Sequence, residues 1–99
     1  MISIKVYKQG DSVLVGACDE QLIGKKFTEG KLQIDVSRSF YEGERIKPES
    51  LSVILEDATV ANLVGKVTVE YAIKLGLIDP SCVLTVKGIP HAQMVRIMY

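Results

Sequence analysis

Cys18, Asn62 and His91 are the residue types that a thiol hydrolase brings together: a sulfur nucleophile, an imidazole to take its proton, and an amide to orient the imidazole. Their separation along the chain does not prevent their meeting in space. The nucleophile must be a thiolate, however, and Asp19 and Glu20 follow Cys18 directly, so that adjacent negative charge opposes ionisation of the thiol. A helical turn opening at this point would act in the opposite sense. These residues support one alternative, a small thiol or acid–base enzyme using Cys18 and His91 with Asn62 as a third catalytic candidate, against a structural cysteine at a strand end.

His91 is expected in a loop, Gly88-Ile89-Pro90-His91-Ala92, where Pro90 restrains the backbone ahead of the imidazole and Gly88 frees it. A single histidine with no Cys or His cluster does not make a zinc site, and no cofactor motif is present. Gly-Lys pairs occur at Gly24-Lys25, Gly30-Lys31 and Gly65-Lys66. None has a glycine five positions earlier or a Ser or Thr after the lysine, which excludes a phosphate loop. Lys25, Lys26 and Lys31 surround Phe27, a grouping able to touch phosphates and stack a base, although no RRM-type pattern accompanies it. Ala61, Gly65, Thr68 and Ala72 fall at helical spacing and predict a small-residue stripe against which a neighbouring element or a partner comes close.

The elements that must position these residues follow from two hydrophobic periods. Ile2, Ile4 and Val6 alternate, as do Val13, Val15 and Ala17, with Gln9-Gly10-Asp11-Ser12 between them. That predicts a hairpin in which Val6 faces Val15, Ile4 faces Ala17, Lys5 faces Gly16 and Ser3 faces Cys18. Asp19 to Gly24 suits a short helical turn capped by Asp19, and Leu32, Ile34 and Val36 give a third strand after a turn at Thr28-Glu29-Gly30. From Pro48 the period changes, with Leu51, Ile54, Leu55 and Ala58 on one helical face. A second helix is expected through Val60, Leu63 or Val64, Val67 and Tyr71, ending at Gly76 with Leu77 in a Schellman contact. Residues 82–87 and 93–98 predict a last hairpin. The order ββ, short turn, β, αα, ββ implies an α+β domain spanning residues 1–99, with a largely antiparallel sheet and helices on one face.

Composition narrows the classes. Hydrophobic residues make up 47% of the 99 and charged residues 24%, which suffices for one core. Twelve basic residues balance twelve acidic ones, so no net field draws the chain to nucleic acid or an anionic membrane, and such contact must come from a local patch. No apolar run approaches the ~18 residues of a membrane span. The amino terminus alternates like a strand, unlike a signal peptide, and the two cysteines form no CxxC pair; a cytoplasmic chain with free thiols is expected.

Four blocks stand in order: Cys18-Asp19-Glu20-Gln21-Leu22-Ile23-Gly24-Lys25-Lys26-Phe27, Glu29-Gly30-Lys31-Leu32, Ala61-Asn62-Leu63-Val64-Gly65 and Gly88-Ile89-Pro90-His91-Ala92-Gln93. Together they resemble the small archaeal family known as domain of unknown function 424, over nearly the whole chain. The resemblance implies an archaeal cytosolic protein of compact α+β fold with no established activity. It singles out Cys18, Asp19, Glu20, Asn62, Gly65, Pro90, His91 and Gln93 without giving any of them a role. The leading expectation is a non-enzymatic binding module acting on RNA or a translation-related assembly, with Asp19, Glu20, Lys25, Lys26, Asn62, Gly65, Pro90, His91 and Gln93 as binding residues. A homodimeric subunit is the third reading, beside the enzyme.

Overall fold

The structure, a computed structural model, describes residues 1–96. Strands β1 (Ile2–Gln9) and β2 (Ser12–Asp19) form the first hairpin, in the register that the alternation predicts: Val6 opposite Val15, Ile4 opposite Ala17, Lys5 opposite Gly16 and Ser3 opposite Cys18. A short 3₁₀ turn at Glu20–Leu22 leads to a separate small hairpin, β3 (Lys26–Glu29) with β4 (Leu32–Asp35). Then come helix α1 (Arg38–Tyr41), strand β5 (Glu44–Ile46), helix α2 (Leu51–Glu56), strand β6 (Val60–Val64), helix α3 (Lys66–Lys74), and strands β7 (Leu84–Val86) and β8 (Ile89–Val95). The main sheet runs β5-β1-β2-β6-β8-β7 and is antiparallel except where β2 pairs β6.

The α+β class and the mostly antiparallel sheet stand, but the expected order of elements is amended. Residues 60–64 are a strand in the sheet, not the start of a helix. Ala61 and Leu63 enter one core and Val64 the other, so apolar residues stand on both faces of β6 and the twofold period that marks a half-exposed strand is lost. Gly65 therefore sits at a strand–helix junction. The helical stripe from Ala61 to Ala72 does not exist as such, although Thr68 and Ala72 are buried on α3. Two strands, β3 and β4, stand where one was expected. His91 lies within β8 and not in a loop, because the hairpin turns tightly at Lys87-Gly88, both with positive φ (52° and 77°). Pro90, which suggested a loop, is tolerated as the second residue of the strand. Ile97 and Met98, the end of the expected last strand, lie outside the described residues.

Each face of the sheet has its own core. On the helical face, α2 and α3 cover Ile2, Ile4, Val15, Ala17, Ala61, Leu63, Ala92 and Met94. Leu51, Leu55 and Ala58 point inward as the helical period predicts, and α3 closes in a Schellman motif, with Gly76 N–H donating to the Ile73 carbonyl and Leu77 N–H to that of Ala72. On the opposite face the β3-β4 hairpin and α1 bury Cys18, Val64 and Val86 beneath Leu22, Ile34, Val36 and Tyr41. This second cover is partial: it lies over one end of the strands and leaves the other end, along β6 and β8, uncovered.

Candidate functional site

The residues of the four blocks separate into a closed corner and an open patch. At the corner, Asp19 ends β2 with only 3% of its surface exposed. Its carboxylate accepts hydrogen bonds from Val67 N–H (3.1 Å), Thr68 N–H (2.9 Å) and Thr68 Oγ1 (2.8 Å), so it caps α3 across the strand–helix junction and not the turn that follows it in sequence. Gly65, at φ 108°, makes the approach possible, since a β-carbon there would lie 2.6 and 2.7 Å from the two carboxylate oxygens. Charge, burial and backbone conformation thus fit one another. Every acceptor of the carboxylate that faces the helix is occupied from within the chain.

Cys18 lies beside this corner at 0% exposure. Burial first, and then the adjacent Asp19 carboxylate, together push its thiol up to about 12 against the partial opposition of Arg45. In the sheet Cys18 stands next to Val64, and Val64 next to His91. With strands ~4.8 Å apart, the backbones of Cys18 and His91 are separated by roughly 10 Å, with the valine between them. The sulfur and the imidazole are therefore not assembled as a nucleophile and base. Glu20 is engaged by Arg45 Nε at 3.1 Å, Lys26 by Asp35 at 3.9 Å, and Lys25 is exposed on the turn before β3. Phe27 packs against the second core instead of offering a free ring.

The open patch is built by β6 and β8. Gly65 N–H donates to the Pro90 carbonyl (2.9 Å) and Arg96 N–H to that of Thr59 (2.8 Å). Counting inward from these, Asn62–Gln93 and Val64–His91 are the non-hydrogen-bonded pairs of the ladder, in which opposed side chains come closest. Ala61, Leu63, Ala92 and Met94 point to the helical face, so Asn62, His91 and Gln93 share the other one. Among the described residues none of these three side chains has a hydrogen-bond partner, and no buried side-chain nitrogen or oxygen is left unsatisfied. Their polar atoms are accordingly open to solvent. Burial holds the His91 imidazole below its ordinary value, so at neutral pH it offers one donor and one acceptor.

Sequence reasoning missed the border of this patch. Gly16 lies beside Asn62 on β2, and Phe40 from α1 sits on it: a β-carbon at Gly16 would meet Phe40 Cε2 at 2.8 Å and Cδ2 at 3.1 Å. Tyr7 on β1 stacks on Phe40 with centroids 5.3 Å apart, and its hydroxyl donates to the Phe40 carbonyl at 2.8 Å. Tyr41 meets Phe40 edge-on at 4.8 Å. The signal available beforehand was a glycine in the middle of a regularly alternating strand, which marks a close approach. Leu14 and Val60 complete the border, and Val95, at 65% exposure, continues the patch along β8.

Among the described residues no group of three or more His, Cys, Asp or Glu side chains is placed to hold a metal ion, and no helix is long and apolar enough to cross a membrane. The fold and the patch define a small α+β protein with a mixed six-stranded sheet, helices α2 and α3 across one face, and a second face partly covered by α1 and the β3-β4 hairpin. The chain belongs to the family described as protein of unknown function (DUF424), whose sequence profile matches residues 7–97. Its fold is similar to the crystal structure of an uncharacterized conserved protein from the archaeon Methanopyrus kandleri, with a TM-score of 0.76 and 20% identity over 99% of this chain and 96% of that one. No curated protein matches the chain.

Proposed function

We propose that this protein is a non-enzymatic binding module, that its contact surface is the uncovered part of the sheet around Asn62, His91 and Gln93, and that its partner is RNA, alone or within a translation-related assembly. The observation that carries the reading is the contrast in hydrogen bonding. The buried block residue Asp19 is satisfied from within, whereas the amides and imidazole of the patch are held side by side on a rigid sheet with no internal partner among the described residues. Polar groups fixed on strands are pre-organised, so that little conformational freedom is lost when a ligand replaces water. The thiol-enzyme alternative lacks such support, since Cys18 is buried with its thiol pushed up to about 12.

The test is capture from native lysate on the immobilised chain, with RNA sequenced and protein identified by mass spectrometry, run beside the double variant Asn62→Ala/Gln93→Ala. RNA recovered on the native chain and lost on the variant is the expected result. Recovery of nothing above background, or equal recovery on both, contradicts the reading.

A further inference from the structure

Independently of the RNA reading, we infer that the chain pairs with a second copy of itself, antiparallel, along the outer edge of β8 from Gln93 to Val95, joining two sheets across a twofold axis at Met94. The inward pairing of β8 fixes which backbone groups are free. Gly65 N–H donates to the Pro90 carbonyl and Arg96 N–H to that of Thr59, so Ala92 and Met94 turn their polar backbone groups toward β6. His91, Gln93 and Val95, at the alternate positions, turn theirs away from it. On that outer side β7 reaches only as far as Leu84, opposite His91. The residues before it form a 3₁₀ turn, Pro80–Cys82, and not a strand. Among the described residues, the N–H and C=O groups of Gln93 and Val95 therefore have no backbone partner. Both side chains are exposed, Val95 to 65%.

A free strand edge is a template for another strand, and folds commonly guard such edges with charge or keep them short. The other edges of this sheet follow that practice. β5 carries Glu44 and Arg45, the stretch of β1 beyond β5 carries Lys8, and β7 ends after three residues. β8, from Ile89 to Val95, carries no charge.

The edge also selects its occupant. Two residues with free groups offer too few hydrogen bonds to order a flexible peptide, so the incoming strand must already be rigid. It must be uncharged and must present free groups at alternate positions. The same stretch of a second copy meets each condition. With the axis at Met94, Gln93 stands opposite Val95 of the second copy, and Val95 opposite its Gln93. Both are hydrogen-bonded pairs of two bonds each, and each exposed Val95 side chain comes to rest beside a Gln93 stem. A twofold contact of this kind closes at two subunits. Twelve basic residues against twelve acidic ones leave no net charge to hold the copies apart.

The test uses the purified full chain, free of nucleic acid, in sedimentation equilibrium from micromolar to millimolar concentration, with amide exchange followed by NMR at both ends of that range. The mass should rise with concentration from 10.9 kDa toward twice that value. The amides of Gln93 and Val95 should exchange fast when dilute and slowly when concentrated, while those of Ala92 and Met94, bonded to β6, stay slow throughout. Val95→Pro deletes only an outward N–H in each copy, which an edge position tolerates. It should move the rise in mass to at least about tenfold higher concentration, as two lost hydrogen bonds do. Val95→Lys, made at an exposed side chain, places an ammonium on each side of the joint and should keep the chain monomeric. Slow Ala92 and Met94 amides in both variants verify that the sheet is intact.

A mass of 10.9 kDa at every concentration overturns the inference. So does a dimer that both variants leave unchanged, because it then forms on another surface. Exchange of the Gln93 and Val95 amides that is independent of concentration overturns it as well.

Discussion

Asp19 and Asn62 stand on neighbouring strands and belong to the same set of block residues, yet the chain treats them in opposite ways. Asp19 is 3% exposed and accepts three hydrogen bonds from Val67 and Thr68. Asn62 is half-buried on the other face of the sheet and accepts or donates none among the described residues. A buried carboxylate must be satisfied by the fold, because an unpaired buried charge costs several kcal/mol. A half-exposed amide is satisfied by water and is free to exchange it for a ligand. The difference separates residues needed to make the molecule from residues available to use it.

The largest effect should come from tightening the closed corner. Gly65→Ala places a methyl among the Asp19 carboxylate atoms and forces an L-residue to φ 108°. Backbone strain of about 1–3 kcal/mol adds to the loss of charge-assisted bonds worth about 1.5–3 kcal/mol. Urea unfolding should thus show a loss of roughly 3–5 kcal/mol, a large share of the stability of a small domain. A loss under about 1 kcal/mol would mean that the corner relaxes freely, and the contrast with the patch would be gone.

Gly16→Ala acts on the border of the patch and should cost less, about 1–3 kcal/mol, because φ at Gly16 is ordinary and the methyl meets the Phe40 ring, which can give way, and the Phe40 carbonyl at 3.0 Å, which must shift with α1. The informative result is the pairing of a modest stability loss with a loss of the RNA capture proposed above as Phe40 leaves its place over β2. Unchanged binding would show that the aromatic pair does not shape the patch.

The smallest effect is electrostatic. Burial lowers His91 from its ordinary value of 6.5, so on acidification the unfolded chain takes up this proton first. Stability linked to His91 is full above 6.5, falls as pH drops through that value, and stops falling below the folded-state value. The chain has one histidine, so the difference between the native protein and His91→Gln isolates the contribution. Parallel stability curves for the two between pH 8 and pH 5 would place the imidazole fully in water.

How much of this was legible follows from where the periods are clean. The first hairpin, half-exposed at its tip, keeps its alternation, and its register was readable to the residue. Helix α2 and the Gly76-Leu77 ending of α3 were readable from spacing and turn chemistry. Strand β6 was not, because apolar residues on both faces of a strand, here Val60, Leu63 and Val64, mimic a helix at i, i+3 and i+4, and Gly65 reads as a flaw in that helix when it is a junction. Asn62, His91 and Gln93 were legible as residues but not as a patch, since their meeting depends on β6 pairing β8. Phe40 was missed because its role rests on a contact with Gly16 more than twenty positions away, which no local pattern contains.

One measurement bears most directly on the division between corner and patch: urea unfolding of Asp19→Ala and Asn62→Ala side by side. Asp19→Ala should lose about 2–3 kcal/mol, as a buried helix cap with charge-assisted bonds does, and Asn62→Ala should stay within about 0.5 kcal/mol of the native chain. Equal losses would contradict the account, because Asn62 would then be held by the fold and not left for a partner.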